Sequence, residues 1–389
     1  MTNEADNIEL ITDSARLAAF CEGLKQHSWI AVDTEFLREK TYKPKLCLIQ
    51  VASPDSLACI DPLALDDLGP FLDVLYDRNI TKVFHAAGQD LEIFYWMRGE
   101  VPGPLFDSQI AAPLLGENEQ IGYGNLVKSR LGIELAKSHS RADWTRRPLP
   151  DVQLRYAADD VIYLARLYTE MRDELESRGR LNWLDDDFSA LENPLLYNKP
   201  SSDMWLRVRG INKFRGKTLS AIQLLAEWRE DTARDADLPR NWLMKDDVLI
   251  DIARQLPDSL KELGHIRGLS DGTVRRHGEK LVALVRQALE RPPVPLPPFS
   301  KKSKLSPQAD AIVELLSTLT KIRAAELDIN DAVLAPRKEL EKLLNDPSSS
   351  QLLHGWRRKL IGEQLQRLLD GQISMHIEDG EIRLQQRDV

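Results

Sequence analysis

The chain has 389 residues, of which 42% are hydrophobic and 29% are charged, and its formal net charge is −9. At roughly 100–200 residues per domain this length predicts two or three domains, and the composition excludes collagen-like, disordered and membrane-embedded classes. No apolar run approaches the ~18 residues of a membrane-spanning helix, and the acidic start is unlike a secretory signal. We therefore expect a cytoplasmic protein with no membrane partner.

The first part of the chain, residues 1–184, mixes two hydrophobic periods. Short apolar runs predict strands at 29–32, 46–52, 57–60 and 82–85. Helical periodicity predicts helices at 68–77, 87–98, 107–115, 122–131 and 151–178. This mixture predicts an α/β domain. Cys21, Cys47 and Cys59 lie in apolar surroundings without metal-ligand spacing, so we interpret them as core residues of a protein from a reducing compartment.

Two polar, proline-containing stretches divide the rest of the chain. Residues 185–203 are acidic and then rich in Asn, Pro and Ser, and residues 291–307 are rich in proline, which favours an extended spacer. They separate two segments of helical periodicity, 204–290 and 308–389, that we predict to be further domains. These segments align weakly at an offset near 91 residues, which indicates a duplicated module, and an Asp-Gly pair at 379–380 predicts a C-terminal β-hairpin.

Charge is distributed unevenly along the chain. Residues 1–180 hold nine more acidic than basic residues, whereas residues 197–290 hold three more basic than acidic ones. This asymmetry fits a metal-dependent catalytic domain attached to a domain that meets a polyanion. Two basic clusters lie in the helical part: Arg207, Arg209, Lys213, Arg215 and Lys217, then Arg267, Arg275, Arg276 and Lys280. Such clusters neutralise phosphates without recognising a sequence, and a merely solubilising face is the rival interpretation.

Asp33 and Glu35 end the first apolar run as Asp-Thr-Glu. Because side chains alternate along a strand, both carboxylates project from one face. Like charges at that spacing repel unless a cation lies between them, so the pair is a candidate metal site. An exposed strand end with solvated acids is the alternative.

Asp90 is the next candidate, on the helix predicted at 87–98. At ~100° per residue it lies within the apolar face that contains Leu91 and Phe94, whereas Glu92 faces away and should be solvated. An ionised carboxylate in an apolar face is costly unless it is paired, hydrogen-bonded or close to a metal. A structurally satisfied aspartate is the alternative.

The helix predicted at 151–178 supplies two more candidates. Asp160 flanks its apolar stripe, and Tyr156 lies one turn earlier on the same side. Asp159 lies on the opposite side, where we expect it to face solvent. The helical geometry therefore selects Asp160 over its neighbour and places a phenol beside it.

In order and spacing, these residues resemble the three motifs of the DEDD superfamily of exonucleases, in its tyrosine-bearing branch. The motifs are Asp33-Thr-Glu35, His85-x-Ala-x-x-Asp90 and Tyr156-x-x-x-Asp160. Residues 107–116 and 142–160 further resemble the ribonuclease D family, whose members carry helical HRDC modules after the nuclease domain. The resemblance implies a ribonuclease H-like mixed-sheet exonuclease domain followed by two all-α helical bundles of the HRDC type.

The same resemblance implies a metal-dependent 3′→5′ exoribonuclease that releases 5′-mononucleotides from RNA with a free 3′ end, with tRNA precursors as the expected substrates. It implies two divalent ions, Mg²⁺ or Mn²⁺. Asp33 would bridge both ions, Glu35 and Asp160 would complete the first, and Asp90 would hold the second through water. Tyr156 would orient the attacking water, since an ordinary pKa of ~10 makes tyrosine a poor base near neutrality. No dimer signature is visible, so we expect a monomer.

Several assignments stay open at this level. His85 either hydrogen-bonds substrate or is a structural residue, and we leave it outside the catalytic set. Trp144, Arg146 and Arg147 precede the last helix of the nuclease domain, where they either contact RNA or pack and solvate the loop. The whole chain could instead be a DNA 3′→5′ exonuclease, since carboxylates do not sense the 2′-hydroxyl, or a noncatalytic nucleic-acid-binding scaffold. The presence of all five motif residues disfavours a scaffold.

Overall fold

The computed structural model describes residues 8–136, 142–296 and 305–387. Residues 1–7 of the acidic N-terminus and residues 297–304 of the proline-rich stretch lie outside these ranges. Three parts follow one another along the chain: an α/β domain built on a mixed sheet, called the nuclease domain after the resemblance described above, a first helical module and a second helical module.

The nuclease domain is built on a six-stranded mixed sheet in the order β1-β4-β3-β2-β5-β6. β2 lies near the middle, antiparallel to β3 and parallel to β5, and this arrangement confirms the predicted ribonuclease H-like fold. The strands are β1 (Glu9–Ile11), β2 (Trp29–Leu37), β3 (Lys45–Ala52), β4 (Leu57–Ile60), β5 (Thr81–Phe84) and β6 (Leu105–Asp107).

Helices cover both faces of the sheet. They are α1 (Ser14–Leu24), α2 (Gly69–Leu75), α3 (Gly88–Arg98), α4 (Ser108–Ala111), α5 (Tyr123–Leu131) and α6 (Asp151–Ser177). α1, α2 and α3 share one apolar cluster with the first face. α6 crosses β3, β2, β4 and β5 on the other face and buries the stripe that its periodicity predicts. α6 therefore covers the face of β2 that carries Ala31, Asp33 and Glu35.

The sequence predicted the longer elements and missed the short ones. β1 and β6 have three residues each, too few to establish an alternating pattern, and α1 was also not predicted. The helix predicted at 107–115 is broken into the end of β6, the four-residue α4 and a 3₁₀ turn at Ala112–Leu115. Pro113 lies in that turn, and proline there cannot donate the backbone hydrogen bond of a continuing α-helix.

The stretch predicted as the first linker, residues 185–203, is folded. It forms α7 (Asp185–Leu191) and two 3₁₀ turns, Pro194–Leu196 and Ser201–Arg207. Phe188 packs on Phe106 with ring centroids 5.3 Å apart, and Tyr197 stacks on Tyr95 at 6.3 Å. Composition indicated a spacer because the stretch is polar, but its few aromatic residues fix it to the nuclease domain.

The first helical module has its own core. Its α-helices are α8 (Gly216–Asp235), α9 (Arg240–Leu243), α10 (Asp246–Gln255), α11 (Leu260–Leu263) and α12 (Asp271–Glu290). α8 and α12 pack together over α10 and over the 3₁₀ turn that contains Trp205. Because its apolar cluster contains no buried residue of the nuclease domain, this module meets that domain mainly through polar contacts.

The second helical module repeats the order of the first. It contains α13 (Pro307–Leu327), α14 (Asp331–Leu334), α15 (Arg337–Asn345), α16 (Gly355–Arg357), a π-turn at Arg358–Gly362, α17 (Glu363–Leu369) and the predicted hairpin, β7 (Ile373–Glu378) and β8 (Glu381–Gln386). α13, α14 and α15 each begin 91 residues after α8, α9 and α10. The weak alignment in the sequence therefore corresponds to an equal offset between helices.

The second helical module shares an apolar core with the nuclease domain. Leu316 of α13 and Leu340 of α15 belong to the same buried cluster as Leu164 of α6. Trp183 stacks on Trp356 across the contact, with centroids 4.9 Å apart and ring planes 9° apart. Removing the second module would expose the apolar face it covers, so this module is not an independent unit of packing.

The buried side chain of Arg180 links the nuclease domain to the second helical module by hydrogen bonds. It is 8% exposed, and its guanidinium donates to the main-chain oxygens of Leu114 (2.6 Å), Leu327 (2.5 Å) and Asp328 (3.3 Å). Arg178 nearby forms ion pairs with Glu174 and Asp328 at the protein surface.

The three cysteines are buried free thiols, which confirms their assignment to the core. No helix within the described ranges is both long and apolar enough to cross a membrane.

We predict that Arg180→Ala lowers the free energy of unfolding by about 3 kcal/mol, because buried carbonyl oxygens lose charged hydrogen bonds worth ~1.5–3 kcal/mol each. The matched control Arg178→Ala loses only exposed ion pairs and should cost less than about 1 kcal/mol. Urea unfolding followed by tryptophan fluorescence measures both, since Trp183 and Trp356 lie at this contact. Equal effects of the two substitutions would contradict the role assigned to Arg180.

Candidate active site

β2 positions the first two acidic residues in the middle of the sheet. Asp33 pairs with Gln50 of β3 and Glu35 pairs with Leu48, and a register shift follows Glu35. The strand extends to Leu37, so both carboxylates lie within a paired strand and not at an exposed end. Because they alternate with Thr34, they share the face that α6 covers. This placement confirms the predicted common orientation of Asp33 and Glu35.

The first turn of α3 holds Asp90 beneath the protein surface. Asp90 is 7% exposed and lies among Leu91 and Phe94, as the helical periodicity predicted. The hydroxyl of Thr34 donates a short hydrogen bond to its carboxylate, which joins α3 to β2. Glu92 was expected to be solvated, and that prediction is wrong: its carboxylate accepts two hydrogen bonds from Arg38, at 2.6 and 2.8 Å.

Asp107 stabilises the turn that precedes α3, the helix that carries Asp90. Its buried carboxylate accepts from the main-chain N–H groups of Ala86 (3.0 Å), Ala87 (2.8 Å) and Gln109 (2.8 Å). Ala86 has a φ of 59°, a left-handed conformation that costs a residue with a Cβ about 1 kcal/mol. The hydrogen bonds to Asp107 hold this turn in place. Sequence patterns missed Asp107 because its partners lie about twenty residues earlier in the chain.

α6 brings Asp160 and Tyr156 to the same face of β2. Tyr123 of α5 donates its hydroxyl to the main-chain oxygens of Asp160 (2.6 Å) and Asp159 (3.1 Å), which fixes this part of the helix. Asp159 was expected to face solvent, but its carboxylate is half-buried and pairs with Arg155 at 3.0 Å. That pair leaves Asp160 as the uncompensated acid of the two.

Burial and nearby acidic charges raise the pKa of all four carboxylates. Burial, followed by the charges of Asp90, Asp160 and Glu35, raises the pKa of Asp33 well above its ordinary value. Burial and the charges of Asp160 and Asp90 raise the pKa of Glu35 to about 8. Burial raises the pKa of Asp90 to about 7, against the hydrogen bond from Thr34, and burial with the charge of Asp159 raises the pKa of Asp160 also to about 7. Because the charges of Asp90 and Asp160 act on both Asp33 and Glu35, the four groups lie in one electrostatic neighbourhood.

Tyr156 belongs to the same neighbourhood. Burial, then the charges of Asp160, Glu35 and Asp33, raises the pKa of Tyr156 to about 12. Its ring lies 6.3 Å from that of Trp144. The phenol is therefore protonated throughout the neutral range and can act as a hydrogen-bond donor.

The donor set of the four acids fits a divalent cation of the Mg²⁺ type. All four supply carboxylate oxygens, the hard ligands that Mg²⁺ and Mn²⁺ prefer, and within the described residues no lysine or arginine compensates them. Positive charge is what such a buried acidic cluster lacks. In the same ranges, no three or more Asp, Glu, His or Cys side chains form a group that could hold a metal ion as they stand.

His85 lies beside the acids as a structural residue. Its Nδ1 is 2.9 Å from the hydroxyl of Ser108, and its ring packs edge-on against Tyr123 at 5.4 Å. Burial lowers the pKa of His85, which favours the neutral imidazole. Its position supports leaving it out of the catalytic set.

The loop before α6 divides into packed and exposed residues. Trp144 is 4% exposed, and Arg147 donates to both carboxylate oxygens of Asp61, at 2.5 and 2.7 Å, and to the main-chain oxygen of Cys47. These two residues therefore serve packing. Arg146 projects into solvent with an 83% exposed side chain and is the member of the trio that RNA can reach.

Gln50 is a site residue that sequence reasoning missed. It is fully buried beneath α6, directly across from Asp33, and neither its amide oxygen nor its amide nitrogen has a hydrogen-bond partner in the described structure. A buried amide in this state costs about 1–3 kcal/mol. The sequence signal available was a single polar residue inside the apolar run at 46–52.

The two basic clusters of the first helical module are exposed, as an interface for phosphates requires. All nine side chains are open to solvent: Arg207, Arg209, Lys213, Arg215, Lys217, Arg267, Arg275, Arg276 and Lys280.

Comparisons with known proteins agree with this geometry. Residues 8–176 match the family model for a 3′-5′ exonuclease and residues 219–285 match the HRDC domain. The chain is 36% identical to ribonuclease D of Bartonella henselae, over 97% of this chain and 94% of that protein. It is 39% identical to ribonuclease D of Sphingobium indicum, over 96% and 98%.

The fold resembles a solved structure over nearly its whole length. The crystal structure of Escherichia coli RNase D, described as an exoribonuclease involved in structured RNA processing, matches with a TM-score of 0.78 and 35% identity. The match covers 94% of this chain and 99% of that one. The similarity therefore extends through both helical modules.

The raised pKa values predict how stability depends on pH in metal-free protein. Between about pH 4 and pH 8 the folded state holds protons on these acids that the unfolded state has released, so the free energy of unfolding falls as pH rises. Asp160→Asn removes one of the acids and should flatten this slope. Thermal unfolding from pH 5 to pH 8 in a chelator checks it, and parallel profiles for the variant and the parent would contradict the assigned coupling.

A pair of isosteric substitutions tests the two polar residues beneath the acids. Gln50→Leu removes unpartnered polar atoms and should raise the free energy of unfolding by about 1–3 kcal/mol. Thr34→Val removes the donor to Asp90 and should lower it by a similar amount. Urea unfolding without metal measures both, and a loss of stability in Gln50→Leu would show that the amide is satisfied.

Proposed function

The chain belongs to the ribonuclease D family, and from this premise we propose that Asp33, Glu35, Asp90 and Asp160 hold two divalent ions with which it trims the 3′ ends of tRNA precursors. As a member of this family it is a hydrolase, a 3′→5′ exoribonuclease acting on RNA. Exonucleases of the DEDD superfamily depend on divalent metal ions. The observation that supports the proposal is the set of four acidic side chains at β2, Asp90 buried and the other three half-buried, whose carboxyl pKa values are all raised.

The four proposed metal ligands come from three elements, β2 and the two helices packed on it. Asp33 and Glu35 come from the strand itself, Asp90 from α3 and Asp160 from α6. When bound, the ions would neutralise the developing charge on the phosphate and lower the pKa of a bound water. Thr34 holds the Asp90 carboxylate in place through its hydroxyl. We assign metal binding to these four residues, with Mg²⁺ or Mn²⁺ as the ion.

Tyr156 serves as a positioning donor. Because its pKa is about 12, its hydroxyl keeps its proton at neutral pH and does not act as a general base. A hydrogen bond from this hydroxyl would orient the attacking water or the scissile phosphate. Hydrolysis then breaks the bond to the 3′-oxygen of the preceding nucleotide and leaves the phosphate on the released 5′-mononucleotide.

The substrate is proposed to be RNA whose body is structured and whose 3′ end is unpaired, as in tRNA precursors. The exposed basic clusters of the first helical module would bind phosphates without sequence preference. The E. coli relative is described as acting in structured RNA processing, which supports this class. Arg146, exposed beside Trp144, would contact the strand near the acids.

The remaining assignments complete the proposal. We place the domain boundaries at 1–184 for the nuclease domain, 204–290 for the first HRDC domain and 308–389 for a second, degenerate one. The equal offset between the two helical modules supports the last assignment. The buried free thiols suit the reducing cytosol, where we expect the protein to act as a monomer.

We predict that Asp33→Ala abolishes Mg²⁺-dependent trimming and leaves RNA binding nearly intact, because the substitution removes a metal ligand and no RNA contact. Asp159→Asn is the matched control: its side chain pairs with Arg155, so it should keep activity within a few-fold of the parent. The measurement is release of nucleotides from a tRNA with extra 3′ residues, with and without Mg²⁺. Continued shortening of the RNA by Asp33→Ala would overturn the assignment.

The same assay separates the alternatives. Matched RNA and DNA oligonucleotides distinguish an exoribonuclease from a DNA exonuclease, and a chain that binds RNA but never shortens it would be a scaffold. Tyr156→Phe should lower kcat by about 10²-fold or more with little change in RNA affinity, as expected for a group that positions the reactants.

A further inference from the structure

A cavity of about 520 Å³ lies between the nuclease domain and the first helical module, away from the four acids. We call it the interdomain cleft. Six of the residues that line it are used below: Arg38, Trp96, Lys199, Arg207, Glu230 and Arg240. Its size lies within the ~300–1,000 Å³ typical of small-molecule sites. It is large enough for one nucleotide and too small for a duplex.

The walls of the interdomain cleft are held together by direct hydrogen bonds. The main-chain N–H groups of Tyr42 and Lys43 donate to the carboxylate of Asp237, at 3.1 and 3.0 Å. The hydroxyl of Tyr42 donates to Glu230 Oε1 at 2.7 Å. These contacts join the loop after β2 to the first helical module. The cleft is therefore a fixed feature of the fold.

Two buried polar atoms in the wall have no partner within the described structure. Glu230 is 5% exposed, and its second oxygen, Oε2, accepts no hydrogen bond; the nearest cation, Arg240, is 3.8 Å away. The indole Nε1 of Trp96 likewise donates to nothing. Buried polar atoms are normally paired, so the wall offers an acceptor and a donor for a ligand. A nucleoside has N–H or O–H donors and carbonyl or ring-nitrogen acceptors that match both.

Two cations of the cleft are free to bind an anion. Lys199 and Arg207 are exposed and form no ion pair with any described residue. The other arginines differ, since Arg38 is paired with Glu92 and Arg240 faces Glu230. Two free cations and a carboxylate oxygen that accepts no hydrogen bond line the same cleft, which suits a phosphate linked to a base.

Two residues that line the cleft lie within three residues of the proposed metal ligands in the sequence. Arg38 follows Glu35 by three residues beyond the end of β2, and Glu92 follows Asp90 by two residues on α3. The same α3 thus carries Asp90 on its inner side and borders the cleft on its outer side.

We propose that the interdomain cleft is a second RNA subsite. It holds one nucleotide of the substrate strand on the 5′ side of the scissile phosphodiester. Lys199 and Arg207 bind its phosphate, and Glu230 and Trp96 bind its base or ribose. The proposal rests on the exoribonuclease function and adds a requirement to it: only single-stranded 3′ tails long enough to reach the cleft gain its affinity.

A length series of unpaired RNA tests the subsite. The parent protein should bind and hydrolyse a hexanucleotide or longer RNA better than a dinucleotide by about tenfold or more. Lys199→Gln should reduce that gain and leave the dinucleotide unaffected, because it removes one of the two cations proposed to bind the phosphate in the cleft. Lys261→Gln, which changes an exposed cation of the same module outside the cleft, is the matched control. Glu230→Gln keeps the shape of the wall and should reduce the gain when the RNA carries a base at the bound position, but not when that nucleotide is abasic.

Binding measured by fluorescence anisotropy without divalent metal gives a readout that does not need catalysis. There Lys199→Gln should lose affinity for the longer RNA and lower the dependence of log Kd on log salt by up to ~0.7, the contribution of one phosphate contact. A Lys199→Gln protein with the parent's length profile and salt dependence overturns the subsite. Failure of the parent to shorten any RNA with Mg²⁺ overturns the proposed function instead, so the two outcomes are distinguishable.

Discussion

Electrostatic repulsion among buried carboxylates is the constraint around which the nuclease domain is organised. Asp33, Glu35, Asp90 and Asp160 are drawn from β2, α3 and α6 into a site that no described basic residue neutralises. Without cations this arrangement raises every carboxyl pKa and opposes folding as pH rises. In the function proposed above, these carboxylates would bind divalent ions, and that positive charge would relieve their repulsion.

The scaffold holds the acids in place through residues that never meet the substrate. Asp107 fixes the left-handed turn at Ala86 that leads into α3, and Thr34 ties Asp90 back to β2. Tyr123 holds the carbonyl groups of α6 beside Asp160. Each contact joins two separate elements of the site. Small shifts of α3 or α6 would separate the acids, so precise packing is a condition for sharing cations.

The helical modules attach to this scaffold in two different ways. The second module shares a core with α6 and is fixed by Arg180, so it acts as part of the nuclease domain's own packing. The first module keeps its own core and meets the nuclease domain through Tyr42 and Glu230. The polar contact leaves the interdomain cleft between them. The shared core joins the second module closely to the nuclease domain, whereas the polar contact leaves an open cleft beside the first module.

The orientation of the acidic side chains could be predicted from the sequence. Period-two alternation places Asp33 and Glu35 on one face of a strand. Helical periodicity places Asp90 in an apolar face and Tyr156 beside Asp160. The sequence also determined the repeated module and the hairpin, because these signals are local. Three features could not be predicted from local patterns: the burial of Gln50, the ion pair between Arg38 and Glu92, and the packing of residues 185–203 on the nuclease domain. Each depends on partners far along the chain, because burial and hydrogen bonding are properties of neighbours in space.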